Sequence, residues 1–212
     1  QDHFTRLLAD HAGADHLAER LEAAERRNLG HYGFGVKGFT LSMIETAIEV
    51  TGGRIPAAVI GEIIAAGREM LEHPINLLPQ VRATVTALAA DYRVVLITKG
   101  DLLDQERKLA QSGLGDLFDG VEIVSDKTPA AYRMIFARHG TGADQAMMVG
   151  NSLKSDVIPA IEAGSWGVHV PHGLTWALEA ADPPTHHTRF HALNSLGDLP
   201  GLVARLQPAP NR

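Results

Sequence analysis

Beyond Pro74 the chain alternates short, nearly continuous apolar runs with stretches of helical periodicity, and this alternation limits the possible folds more than any other feature. Strand-like runs fall at residues 93–98, 121–124, 146–149 and 166–170. Helical patterns fall at 79–90, 102–111, 130–138, 153–163 and 199–206. A run that is apolar at successive positions is buried on both faces. Strands separated by helices pair in parallel, because each crossover carries the chain back to the same end. The expected class is α/β: a doubly wound parallel sheet covered by helices on both sides.

Before Pro74 nothing alternates like a strand. Phe4, Leu7, Leu8, His11, Leu17, Leu21 and Ala24 recur at roughly helical spacing, with a break near Gly13. Residues 30–38 form a glycine-punctuated turn region. A helix is expected over 39–50, burying Leu41, Ile44 and Ile48 and stopped by Gly52 and Gly53. Another starts at Pro56 and runs through Val59, Ile60, Ile63, Ile64 and Met70 to Leu71. The expected organisation is a small helical domain over 1–73 and an α/β core over 74–212.

The apolar fraction of 45% suits a globular chain, and the net charge of −6 offers no broad basic surface for nucleic acid or anionic lipid. A local pocket can still be positive and take a small anion. The absence of cysteine excludes a disulfide framework, a thiolate nucleophile and a cysteine-ligated metal. The eleven histidines are scattered, and the adjacent pair His186 and His187 sits in a loop-like stretch. No apolar run is long enough for a bilayer, and the first residues lack a signal-peptide pattern. A cytoplasmic protein is expected. The chain has no starting methionine and is expected to begin inside its gene product.

In an open parallel sheet, ligands gather beyond the carboxyl ends of the strands. Thr98, Lys99, Gly100 and Asp101 follow the first run; Ser125, Asp126, Lys127 and Thr128 follow the second. Gly150, Asn151, Ser152, Leu153, Lys154, Ser155 and Asp156 follow the third. Three strands thus deliver a hydroxyl, an ammonium, and an amide with a carboxylate to one edge. Thr98 and the backbone N–H groups after it can hold phosphoryl oxygens, and Lys127 can neutralise charge that builds in a transition state. Asn151 and Asp156 offer oxygens to a hard cation such as Mg²⁺. Each also has an ordinary reading: Thr98 as a helix cap, Lys127 as a surface charge, Asn151 as a turn residue, Asp156 as a solvated helix charge. Their common register is what favours the functional one. In the loop after the last run, His172 and Trp176 either line the entrance to such a site or form a rim packed on the core.

These blocks resemble the haloacid dehalogenase superfamily, whose members are mostly phosphatases. Leu96 to Asp101 looks like its second motif, which ends a strand in serine or threonine. Lys127 matches its third, the phosphate-facing lysine. Met148 to Asp156 looks like its fourth, the acidic metal-binding motif, and the region before Pro74 resembles its helical cap. The resemblance implies that Thr98 and Lys127 serve catalysis, and that Thr98, Lys99, Gly100 and Lys127 bind substrate. It also implies Mg²⁺ held at Asn151 and Asp156, and a small phosphorylated metabolite as substrate.

Three departures accompany the resemblance. Asn151 stands where the family commonly has aspartate, so metal affinity is lowered or Asp156 carries more of it. Lys99 stands where many members have asparagine, and either adds positive charge near substrate or lies along the surface. The family's first motif, an Asp-x-Asp supplying nucleophile and acid–base, is absent. Asp2, Asp10 and Asp15 lie in helical or turn context rather than after an apolar strand. The missing strand belongs between those ending at Thr98 and Val149. The chain as given is then expected to be inactive without an upstream segment. The expected activity is a Mg²⁺-dependent phosphatase working through an aspartyl-phosphate intermediate. Two alternatives share the fold: a metal-independent 2-haloacid dehalogenase, and a non-catalytic binding or regulatory protein that has lost the activity.

Overall fold

The structure, a computed structural model, describes residues 2–9, 11–173 and 179–206 of the 212. By its contacts the chain forms two compact units: Gln1–Pro74 with Gly100–Gln105, and Ile75–Lys99 with Glu106–Arg212.

The first unit is built from α1 (Asp2–Leu7), α2 (Ala14–Tyr32), α3 (Val36–Val50) and α4 (Ala57–Glu72). The turn expected over 30–38 is tighter than the sequence suggests. Helix α2 runs to Tyr32, and Gly33, at φ 70°, ends it with its N–H on the Leu29 carbonyl. Gly52 and Gly53 end α3, where the Gly53 N–H returns to the Ile48 carbonyl at 2.8 Å. Phe4, Leu8, Leu17, Leu21, Met43, Ala47 and Ile63 form the core of this unit.

The buried face of α3 differs from expectation. Leu41 and Ile48 are 41% and 42% exposed, and Ile64 of α4 is also exposed. The face turned inward carries Phe39, Met43, Ala47 and Val50, with Ile44 at its border. These recur every three or four residues, and Leu41 lies on the opposite side. The apolar residues of α3 span somewhat more than half of its circumference, so its periodicity admits two stripes, and packing buries the one beside Ser42 and Thr46. Ser42 and Thr46, also buried, donate to the Gly38 and Ser42 carbonyls of their own helix at 2.9 and 2.8 Å, which removes the cost of burying a hydroxyl.

The second unit contains α5 (Val81–Ala89), β1 (Val95–Lys99), most of α6 (Leu102–Ser112), β2 (Gly120–Val124), α7 (Pro129–His139) and β3 (Met147–Gly150). A wide helical turn (Leu153–Val157), α8 (Ile158–Glu162), β4 (Trp166–His169), β5 (Phe190–Ala192) and α9 (Leu199–Leu206) complete it. Among the described residues all strand pairs are parallel. Strand β1 pairs with β2 from Val95 opposite Gly120 to Lys99 opposite Val124, while β4 lies between β3 and β5. Among the described residues the strands form two sheets, β1–β2 and β3–β4–β5, with no ladder joining β1 to β3. The first strand run, expected to be buried, is only half-buried at every position of β1. Among the described residues it pairs on one side alone. By contrast Val168 in β4, flanked on both sides, is fully buried. Strand β5 went unread because Phe190, His191 and Ala192 form too short a run, with histidine at its centre. Among the described residues no helix is long and apolar enough to cross a membrane.

Gly67 of α4 packs directly against Thr40 of α3. A Cβ there would collide with the Thr40 side chain, whose hydroxyl is tied to the Val36 carbonyl at 2.8 Å. Gly67→Ala is therefore expected to destabilise the protein by about 1–3 kcal/mol in denaturant unfolding, despite alanine's better helix propensity. Adding Thr40→Ala should restore most of that loss. A Gly67→Ala variant as stable as the parent would show that the two helices do not pack at this distance.

Candidate functional site

The polar residues at the carboxyl ends of β1, β2 and β3 converge through the wide turn after β3. Ser152 caps that turn, its Oγ accepting from the Ser155 N–H at 3.0 Å. The Asp156 and Val157 N–H groups both bond to the Ser152 carbonyl, at 2.9 and 3.1 Å, and the second bond makes the turn wider than an α-helix. Pro159 then removes the N–H that the Ser155 carbonyl would receive in a regular helix. Tyr132 of α7 replaces it, its hydroxyl donating to the Ser155 carbonyl at 3.0 Å. Burial, with Asp156, Asp126 and Glu179 nearby, pushes the Tyr132 hydroxyl well above its ordinary range, so it remains a donor.

This turn presents Ser152, Ser155 and Asp156, all buried. Asp156 folds back over Gly150, where any side chain would collide with the carboxylate. Its Oδ2 accepts from the Ser152 N–H at 3.0 Å, and its Oδ1 accepts from Lys127 Nζ at 2.7 Å. The Lys127 and Asp156 side chains are only 11% and 7% exposed. Lys127 follows β2, just ahead of α7, whose start Thr128 caps by accepting from the Ala131 N–H at 3.2 Å. Lys127 is not the surface charge of its ordinary reading. Lys99, the last residue of β1, lies in the same region: its Nζ donates to Ser155 Oγ and Glu179 Oε1, each at 2.6 Å. Glu179 also accepts from the Ser152 hydroxyl at 2.6 Å and from the Ser155 hydroxyl. Burial alone would raise the Glu179 carboxyl. The Lys99, Ser152 and Ser155 hydrogen bonds and the Lys99 charge outweigh it and hold the group below its ordinary value.

The remaining candidates are placed as follows. Thr98 is the penultimate residue of β1, half-buried and opposite Ile123. Gly100, at φ 136°, groups with the helical unit, as does Asp101, whose Oδ2 accepts from Lys37 at 2.9 Å. Asn151 is exposed, and its backbone carbonyl accepts from His169 Nε2 at 3.1 Å. His172 is exposed in the loop after β4; Trp176 lies outside the described residues. His187 Nδ1 accepts from the Arg189 N–H at 3.2 Å.

Sequence reasoning assigned no role to Ser152, Ser155, Tyr132 or Glu179. Pro159, four residues after Ser155, was a readable sign that this carbonyl needs an outside donor. Glu179 gave no sign, because only the fold carries the loop after β4 back to Lys99.

Among the described residues no three histidine or carboxylate groups gather as a metal site. Both oxygens of Asp156 already have donors, and Asn151 brings no charge. These two residues therefore fit only part of an octahedral Mg²⁺ shell.

A sequence profile of the haloacid dehalogenase-like hydrolases matches residues 4–164. The chain belongs to that family. A haloacid dehalogenase-like family hydrolase from Xanthomonas campestris is 41% identical, with a TM-score of 0.86 over 97% of this chain and 82% of that one. At lower identity the fold is shared with two further solved structures. L-2-haloacid dehalogenase from Xanthobacter autotrophicus, with chloropropionic acid covalently bound, has 18% identity and a TM-score of 0.64 over 90% of this chain and 85% of that one. The HAD-hydrolase YfnB from Bacillus subtilis, bound to magnesium, has 14% identity and a TM-score of 0.61 over 93% and 87%. No curated protein matches the chain.

Tyr132→Phe would leave the Ser155 carbonyl without its donor in a buried place. The expected loss is about 1–3 kcal/mol of stability, read from the denaturant midpoint. An unchanged midpoint would show that the tyrosine hydroxyl is not what holds the turn.

Proposed function

We propose that this hydrolase cleaves a phosphomonoester of a small metabolite, in the cytoplasm, with Mg²⁺ and an aspartyl-phosphate intermediate. The observation that carries the reading is the Lys127–Asp156 pair, an ammonium and a carboxylate nearly out of water at the ends of two different strands. In that place Lys127 can neutralise a phosphoryl oxygen while Asp156 faces a cation, the two charges phosphoryl transfer needs. Thr98 and the N–H groups after it would orient the phosphoryl oxygens. Bound Mg²⁺ would supply charge stabilisation, with Asp156 and Asn151 as its ligands from the described residues.

The nucleophile in this reading is an aspartate of an Asp-x-Asp segment outside the 212 residues. Support comes from the break between the two sheets, since β1 and β3 each pair on one side only among the described residues. Asp15 lies in the first turn of α2 and Asp2 in α1, neither after a strand, and Asp10 lies outside the described residues. The 212 residues by themselves are accordingly expected to turn over no phosphomonoester. Dehalogenation is the second reading, favoured by the neutral Asn151 and the incomplete metal ligand set.

The ion pair changes how Lys127 must be tested. Truncating it to alanine would strand the Asp156 carboxylate in a buried place and cost stability as well as activity. Lys127→Gln keeps a donor for Asp156 and removes the charge. In the full-length protein this variant should lose about 10²-fold in kcat toward phosphomonoesters, some 3 kcal/mol of transition-state stabilisation. Unchanged steady-state kinetics in a folded variant would remove Lys127 from the site.

A further inference from the structure

The polar cluster that the proposed hydrolysis leaves unused is the one around Glu179. One carboxylate oxygen meets the Lys99 ammonium at 2.6 Å, and the other meets the hydroxyls of Ser152, at 2.6 Å, and Ser155. The Lys99 and Glu179 side chains are 14% and 15% exposed, and both serines are buried. A cation on one oxygen and two hydroxyls on the other make a complete receptor for a carboxylate, which can only accept hydrogen bonds.

The receptor groups are fixed without Glu179. Lys99 ends β1 and also donates to Ser155 Oγ; Ser152 Oγ caps the turn through the Ser155 N–H; Tyr132 holds the Ser155 carbonyl. The carboxylate that fills the receptor comes from elsewhere in the chain, a loop position after β4. Asp156 is different, because it belongs to the same turn as its N–H donor.

We propose that Lys99, Ser152 and Ser155 form a carboxylate-binding site, filled here by the chain's own Glu179, which a carboxylate on an incoming small ligand takes by exchange. Exchange replaces one ammonium–carboxylate contact with another, so no charge is left buried and unpaired. The inference rests on the reading that an anionic substrate binds at these strand ends. It narrows the substrate to a phosphorylated carboxylic acid, with the phosphoryl group toward Thr98 and Lys127 and the carboxylate toward Lys99. It also gives Lys99 a role distinct from phosphoryl binding.

Acetate is the probe, titrated by calorimetry into the full-length protein against chloride at equal ionic strength. Glu179→Ala should bind acetate saturably, and at least about ten-fold more tightly than the parent, whose own carboxylate occupies the site most of the time. Adding Lys99→Met should abolish that binding. Glu179→Gln, which keeps the side-chain volume but carries no charge, should also bind more tightly than the parent and decides the matter should the alanine variant fail to fold. Equal binding by parent and variant, no binding by either variant, or binding that survives Lys99→Met would overturn the inference. The assay needs no turnover. A protein inert toward phosphomonoesters but binding acetate as described would refute the phosphatase reading alone, and an active phosphatase without this binding would refute the exchange alone.

Discussion

A lysine and an aspartate, almost out of water and 2.7 Å apart, join the end of the β1–β2 sheet to the turn that follows β3. No backbone ladder among the described residues makes that connection. The side chains of Lys127 with Asp156, and of Lys99 with Ser155 and Glu179, bridge the two sheets instead. Two opposite charges in so little water are tolerated only when each is fully paired, and each can then be spoiled by losing its partner. The surrounding turn supplies the pairing: its width aims Asp156 at Lys127, Gly150 leaves room for the carboxylate, and Pro159 with Tyr132 sets the course of the chain.

The arrangement has a consequence for charge. Each lysine at the strand ends faces a carboxylate, Lys127 with Asp156 and Lys99 with Glu179. A small anion arriving there meets ammonium groups that are already compensated. Under the proposed function, binding would depend on what releases them: a cation drawing on Asp156 in one case, exchange of Glu179 in the other. Under that function, a chain of net charge −6 would concentrate its anion recognition in these two pairs rather than in a basic surface.

The fold class was legible because near-continuous apolar runs separated by helices leave little choice but a parallel, covered sheet, and all four runs are strands. The family was legible for the same reason, since its motifs sit just past those runs. The inward face of α3 was not, because a helix apolar over more than half of its circumference gives periodicity two stripes to choose between, and packing exposed Leu41 and Ile48. The helical unit also takes in Gly100–Gln105, where Lys37 reaches Asp101, a contact 64 residues apart that local pattern cannot foresee. In the candidate site Lys127 and Asp156 could be named from strand ends, whereas their direct pairing and the arrival of Glu179 are tertiary facts.

The account stands or falls on which bond the completed site breaks. The decisive measurement is hydrolysis by the full-length protein of p-nitrophenyl phosphate and of 2-chloropropionate, each with Mg²⁺ and with EDTA. The account predicts release of p-nitrophenol with Mg²⁺, its loss in EDTA, and no chloride release under either condition. Chloride release that survives EDTA, without phosphatase activity, would contradict it and establish the chain as a metal-independent dehalogenase.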